Sequence, residues 1–177
     1  FRENGLARQR LEQERDADWA IRELLARMTQ RLQGCESFDD VIKVAELFAP
    51  NIAPAIPGRL YVLETNPWQL RCVAQWLSPP DEPEVFYPDN CWAVRRGLSH
   101  PPVNGEPDIA CSHLPDACIH QSLCVPLVAQ GEAIGLLSFR NVTSATAPSR
   151  AYLELMAEAL GLALANQRLR SALLEKA

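Results

Sequence analysis

No stretch of this 177-residue chain approaches the roughly 20 consecutive apolar residues that span a bilayer, so no membrane-crossing helix is expected. A strong charge of one sign is also lacking. Seventeen Lys and Arg stand against 22 Asp and Glu, a net charge of -5. Such mild acidity offers no global attraction to nucleic acid or to an anionic membrane. There is no C-x-x-C pair, which removes the zinc-ribbon and thioredoxin-type motifs. No secretory leader is visible. Phe1 stands where Met would begin a complete chain, and helical patterns run off both ends, so a fragment of a longer protein is expected.

What is present fits an ordinary globular domain: 47% hydrophobic and 22% charged residues, at a length suited to one medium domain with helical extensions. Six cysteines stand at positions 35, 72, 91, 111, 118 and 124. A domain of this size builds a core without disulfides, so the expected compartment is reducing, the cytosol. Asn141-Val142-Thr143 matches a glycosylation acceptor, which in that compartment is chance. Cys72 and Cys124 sit inside apolar runs and read as small buried hydrophobes.

Leu6 to Gln33 reads as a long amphipathic helix, with Leu11, Leu25 and Leu32 on one heptad position and Ile21, Met28 and Cys35 on another. Gly34 ends it. Ser37 caps a second helix carrying Asp39 and Asp40 in its first turn and Val41, Val44, Ala45 and Phe48 at helical spacing; Pro50 is expected to stop it. Arg59 to Glu64 and Leu70 to Trp76 read as paired strands across the Asn66-Pro67 turn. Leu70, Cys72, Ala74 and Trp76 are expected to share one face. Leu123 to Val128 and Ala133 to Phe139 flank the hairpin signal Gln130-Gly131. Pro126 makes the first of these an edge or bulged strand, and Gly135 marks close packing by a neighbour.

Between the hairpins, Ser78 to Gln121 has no periodic run and is rich in Pro, His and Cys; a short helix within Asp89 to Gly97, capped by Asp89 or Asn90, is its one expected element. A loop region this long inside a compact domain usually has a function, often that of lining a binding site. Ser149 to Ala177 is a last helix, with Leu153, Leu160, Gln167 and Leu174 every seven residues. The expected fold is α+β: a central antiparallel sheet with N- and C-terminal helices on one face and the irregular segment on the other. The expected divisions are a helix at 1–36, a core at 37–148 and a helix at 149–177.

Three runs carry a family resemblance: Cys91-Trp92-Ala93-Val94-Arg95-Arg96-Gly97 with His100, then Cys111-Ser112-His113-Leu114, then Ser122 to Leu137 with its Val-Pro-Leu strand and Ile-Gly start. Together with the order of elements they resemble a GAF domain, the regulatory module related to PAS domains, in the form found in bacterial signalling proteins. Leu164 to Arg170 resembles the helix that links such sensors to a GGDEF diguanylate cyclase or a kinase. The resemblance implies a sensor, not an enzyme. It would bind a small ligand or respond to redox or metal state and signal through terminal helices paired in a homodimer. It places the pocket between the sheet and the irregular segment.

Within that pocket Cys91, His100, Cys111 and His113 form a two-Cys, two-His set of the kind zinc or iron accepts, although their gaps of nine, eleven and two positions match no standard finger. The alternative is that the histidines satisfy backbone carbonyls and the cysteines are simply buried. The expected ligand-binding residues are Trp76, Trp92, Arg95, His100, Cys111 and His113. Adjacent helical residues do not share a face, so one of Arg95 and Arg96 at most is expected to point inward, and Arg95 is taken as that one, the alternative being a solvated helix face or a salt bridge; at least one of the two tryptophans is expected in the core. Cys118 and His120 read as solvated loop residues. A second implied function comes from free methionine-R-sulfoxide reductases, which use a GAF fold. Cys91 and Ile109-Ala110-Cys111 resemble their cysteine motifs, with Cys111 attacking the sulfoxide and Cys91 resolving. Asp89-Asn90 and Ser112 depart from that pattern, which leaves substrate binding without its usual carboxylate.

Overall fold

Helix α1 (Arg2–Gln33) spends its two halves differently. Leu25, Met28 and Leu32 are buried, whereas Leu6, Leu11 and Trp19 are exposed. The computed structural model describes residues 2–103, 106–115, 121–143 and 150–176. Gly34 ends α1, and the Ser37 side chain accepts the Asp40 N–H at 3.2 Å to cap α2 (Phe38–Ile52). Pro50 does not stop α2, contrary to expectation. Placed in the last turn it forfeits one donor, and the turn still closes when the Ala53 N–H donates to Ala49 at 3.0 Å.

The sheet comprises β1 (Gly58–Thr65), β2 (Trp68–Trp76), β3 (Val85–Phe86), β4 (Leu123–Ala129) and β5 (Glu132–Phe139). Its order is β3-β2-β1-β5-β4, and every pairing is antiparallel. Pro126 lies on the edge strand β4, where its missing N–H costs least. Gln130 and Gly131 both take positive φ, 52° and 80°, as a two-residue hairpin demands. At Gly135 a Cβ would stand 2.6 Å from the Tyr61 carbonyl oxygen, so only glycine lets β1 and β5 approach there. The two-residue β3 was not expected, being too short to show a period.

One expectation about β2 fails instructively. Leu60 pairs with Ala74 but Tyr61 pairs with Cys72, so Val73 is an extra residue, a bulge. Side chains alternate with period two, and one inserted residue reverses the faces beyond it. Leu70 therefore joins Tyr61, Phe86 and Leu136 on one side, while Ala74 and Trp76 join Leu60 and Phe139 on the other.

Helices α1, α2 and α4 (Arg150–Lys176) cover the second of these faces. Leu153, Met156 and Leu160 of α4 are buried there, and Leu173 and Leu174 near its end are exposed. Most heptad residues of α1 and α4 are thus spent on the chain's own core. The first face is covered by the described residues of the 78–121 segment, including a 3₁₀ turn at Pro88–Asn90 and α3 (Trp92–Arg96). Cys91, not Asp89 or Asn90, occupies the α3 cap position, and Gly97 closes it at φ 70°. Among the described residues no helix is long and apolar enough to cross a membrane.

Candidate functional site

The irregular segment is fastened to the sheet by polar groups that interrupt apolar strands. Arg59 at the start of β1 donates to the Pro80 carbonyl at 2.6 Å, and the Tyr61 hydroxyl donates to Pro83 at 2.7 Å. Farther along, His100 and Cys124 exchange backbone hydrogen bonds of 2.8 Å each way, adding a bridge to the free edge of β4. The Arg150 guanidinium, at the head of α4, donates to the carbonyls of Pro101 at 2.6 Å and Pro102 at 3.0 Å.

Under this cover lies a cluster of cysteine and histidine. Cys91, Cys111, His113 and Cys124 present sulfur and ring nitrogen atoms all within 4.8 Å of one another, and all four residues are buried. The Cys91 and Cys111 sulfurs are 3.9 Å apart, and Cys124 Sγ is 3.5 Å from His113 Nε2. The Trp92 N–H donates to Cys111 Sγ at 3.2 Å. His113 Nδ1 faces Glu82 Oε1 at 2.7 Å, and its ring stacks on Phe86 with centroids 4.3 Å apart.

Glu82 is the hub behind the cluster. Its side chain is fully buried, and besides His113 it meets Arg140 at 2.9 Å, Arg59 at 3.3 Å and the Ser138 hydroxyl at 3.0 Å. Burial alone would raise its pKa; the bond from His113 and the charge of Arg140 outweigh that and hold it below the usual carboxylate value. Burial likewise opposes a charge on His113, but its contacts with Cys111, Cys91 and Glu82 prevail and push its pKa up to about 11. Hydrogen bonding with Cys124 and Cys91, with His113 beside it, lowers the Cys111 thiol, while hydrogen bonding with Cys111 and Cys91 together with full burial raises Cys124. The directions are those of a thiol drawn toward its thiolate at Cys111 beside a histidine drawn toward its cation.

The residues expected from sequence scatter in part. Cys91, Cys111 and His113 come together; His100 does not. Its Nε2 lies 2.6 Å from the Ile109 carbonyl, and it stacks beside Trp92. Cys124 takes the fourth place, which corrects its reading as a mere small hydrophobe. Trp76 is also corrected: the β2 bulge turns it to the helix side, against Phe139, so it lines no pocket under the cover. Arg95 is exposed, its guanidinium 4.2 Å from the Trp92 ring centre, and points out of the pocket. Cys118 and His120 lie outside the described residues. A cavity of about 340 Å³ remains beside the cluster, lined by His100, Glu106, Asp108, Ile109, Cys111 and Ser122 among others.

Sequence reasoning missed Cys124 and Glu82. Cys124 alternates against Leu123 and Val125, which sends it to the opposite face from those two. Arg59 and Ser138 fall on that same face, inside apolar strands, and two such polar groups imply a buried partner.

An antiparallel five-strand sheet carries helices on one face and the loop region with the cysteine–histidine cluster on the other. The GAF domain family model matches residues 69–167, and the chain belongs to that family. No curated protein sequence matches it. Among solved structures, the GAF domain of a phosphoenolpyruvate-protein phosphotransferase from Coxiella burnetii is similar at 14% identity and a TM-score of 0.63, over 87% of this chain and 98% of that one. The GAF domain of the potassium sensor histidine kinase KdpD from Escherichia coli matches at 16% identity and a TM-score of 0.59, over 85% and 97%. The free methionine-R-sulfoxide reductase from Neisseria meningitidis, solved with its substrate, matches at 18% identity and a TM-score of 0.63, over 85% and 91%. At these identities the likeness is one of fold.

Proposed function

We propose that this GAF domain is a regulatory sensor. A change in the chemical state of the covered face, at the cysteine–histidine cluster or in the adjoining cavity, moves the covering segment. That movement passes through the terminal helices to an attached output domain such as a diguanylate cyclase or a kinase. The observation that carries this reading is the Arg150 bridge. Cys124 of the cluster is paired to His100, the next two residues are Pro101 and Pro102, and their carbonyls hold the first residue of α4. The chain of contacts from cluster to output helix is short and made of hydrogen bonds. Leu169, Leu173 and Leu174 on α4 and Leu6 and Leu11 on α1 stay exposed, available for pairing with a second copy.

A fluorine label on tryptophan reports on both sides of the sheet, because Trp92 belongs to the cover and Trp76 to the helix side. Mild peroxide supplies the stimulus: it converts the Cys91 and Cys111 thiols to a disulfide and is itself reduced to water. The sensor reading expects the Trp92 and Trp76 resonances both to shift, and a shift confined to Trp92 contradicts it.

The second reading is a free methionine-R-sulfoxide reductase, favoured by the 3.9 Å separation of Cys91 and Cys111 and by the cavity that reaches Cys111. In that reaction the two thiols become a disulfide while the sulfoxide becomes a thioether and water. A reductant-coupled assay with free methionine-R-sulfoxide decides between the two. The sensor reading expects no turnover above background, and robust turnover abolished by Cys111→Ser replaces it with the enzyme.

A further inference from the structure

We infer that Cys91, Cys111, His113 and Cys124 form a closed, four-coordinate site for one zinc ion. Regular tetrahedral zinc, with Zn–S near 2.3 Å and Zn–N near 2.0 Å, spaces its sulfurs about 3.8 Å apart and its sulfur and nitrogen about 3.5 Å apart. The Cys91–Cys111 separation is 3.9 Å and the Cys124–His113 separation 3.5 Å, with every pair in the set inside 4.8 Å. An iron–sulfur cluster spreads its ligands over several irons and needs a wider set. Three sulfurs disfavour magnesium and calcium, which take oxygen.

The surroundings suit the ion as well. Glu82 accepts the Nδ1 proton of His113, which leaves Nε2 as the lone-pair donor turned toward the sulfurs. Charge closes too: three thiolates and Glu82 carry four negative charges, and zinc with Arg59 and Arg140 carries four positive ones. All four ligands come from the protein and are buried, so no position is left for substrate or water, the pattern of a structural rather than a catalytic zinc. On binding, three protons leave the site, and the sulfurs and Nε2 each donate a lone pair. Three ligands belong to the covering segment and its α3 cap, and the fourth to β4, so the ion pins the cover to the sheet. It also occupies Cys91 and Cys111, so a reductase would lack its free thiols, and peroxide forms the Cys91–Cys111 disulfide only as the ion is released.

The test uses the whole chain, kept reduced, stripped with a chelator and titrated with cobalt(II) and then zinc. The expected result is one cobalt per chain, with thiolate-to-metal charge-transfer absorption and the intense visible bands of a tetrahedral ion, displaced by zinc. Cys124→Ser is expected to remove about a third of the charge-transfer intensity, one of three thiolates, while His100→Ala and Cys72→Ser leave stoichiometry and spectrum unchanged. Should Cys124→Ser fail to fold, the intensity of the wild-type band still counts its thiolates, three against two. Folded, reduced wild type that takes up less than about a tenth of an equivalent of either metal overturns the site. So does a weak octahedral cobalt spectrum, iron in place of zinc in protein as purified, or a folded Cys124→Ser with an unchanged spectrum. The readout is independent of the relay through α4: zinc bound with unresponsive helices contradicts the sensor and leaves the site standing.

Discussion

Glu82→Gln is expected to cost about 3–5 kcal/mol of folding stability, because it strands buried cations without their counter-charge. Gln keeps the shape and one acceptor but not the charge that Arg59, Arg140 and His113 share. The side chains of both arginines are less than a tenth exposed, so water cannot make up the loss. Urea unfolding of the two proteins at neutral pH measures the difference, and a loss under about 1 kcal/mol would mean the ionic hub is energetically idle. The pH dependence has a definite sign. A carboxylate whose pKa is lower folded than unfolded stabilises the fold above its ordinary value near 4.5 and loses that contribution as the pH falls below it. Wild type should lose this increment on acidification, and Glu82→Gln, already lacking it, should show a flatter acid limb.

Phe139→Ala is expected to cost about 3–5 kcal/mol through the opposite kind of chemistry, a cavity in an apolar layer. Phe139 is fully buried on the helix side, with its ring edge toward Trp76 at 6.5 Å between centroids. Gly58 pairs with Phe139 on one side and Trp76 on the other, and a Cβ on Gly58 would come within 2.6 Å of the indole. The glycine lets the indole lie over the backbone of β1, so truncating Phe139 removes one wall of that packing. A loss below about 1.5 kcal/mol, measured by thermal or urea unfolding, would mean the layer collapses readily around the gap. Neither substitution touches a cluster sulfur, and together they weigh the sheet's two faces against each other.

Much of this architecture was legible in the sequence, for physical reasons that can be named. The Ser37 cap, the Gln130-Gly131 turn, the edge position of Pro126 and the tight approach at Gly135 each follow from one residue's backbone or hydrogen-bonding constraint. Such constraints are local and survive in the fold. What escaped was non-local. The Val73 bulge depends on the register between β1 and β2, which no periodicity within β2 reveals, and it sent Trp76 to the wrong expected face. Cys124 stands in the observed cluster where the sequence places His100, for a related reason. His100 immediately precedes the Pro101-Pro102 pair, and only the bridge to Cys124 decides that its backbone, not its ring, adjoins the cluster. Glu82 lay in a segment without period, and its role appears once Arg59, Ser138 and Arg140 are seen to converge on it. Proline in the last turn of α2 was given too much weight, since a missing donor there costs a single bond.

On the proposed sensor reading, the covered face of the sheet is mechanically joined to α4 through Arg150. Amide hydrogen exchange along α4, measured on reduced and on peroxide-oxidised chain, and repeated with Arg150→Met, tests it most directly. Oxidation is expected to change protection in the first turns of α4 of the wild type, and Arg150→Met is expected to remove this change while the response of the covering segment remains. An α4 whose exchange is the same in both states of the wild type, with the response confined to the covering segment, would contradict it.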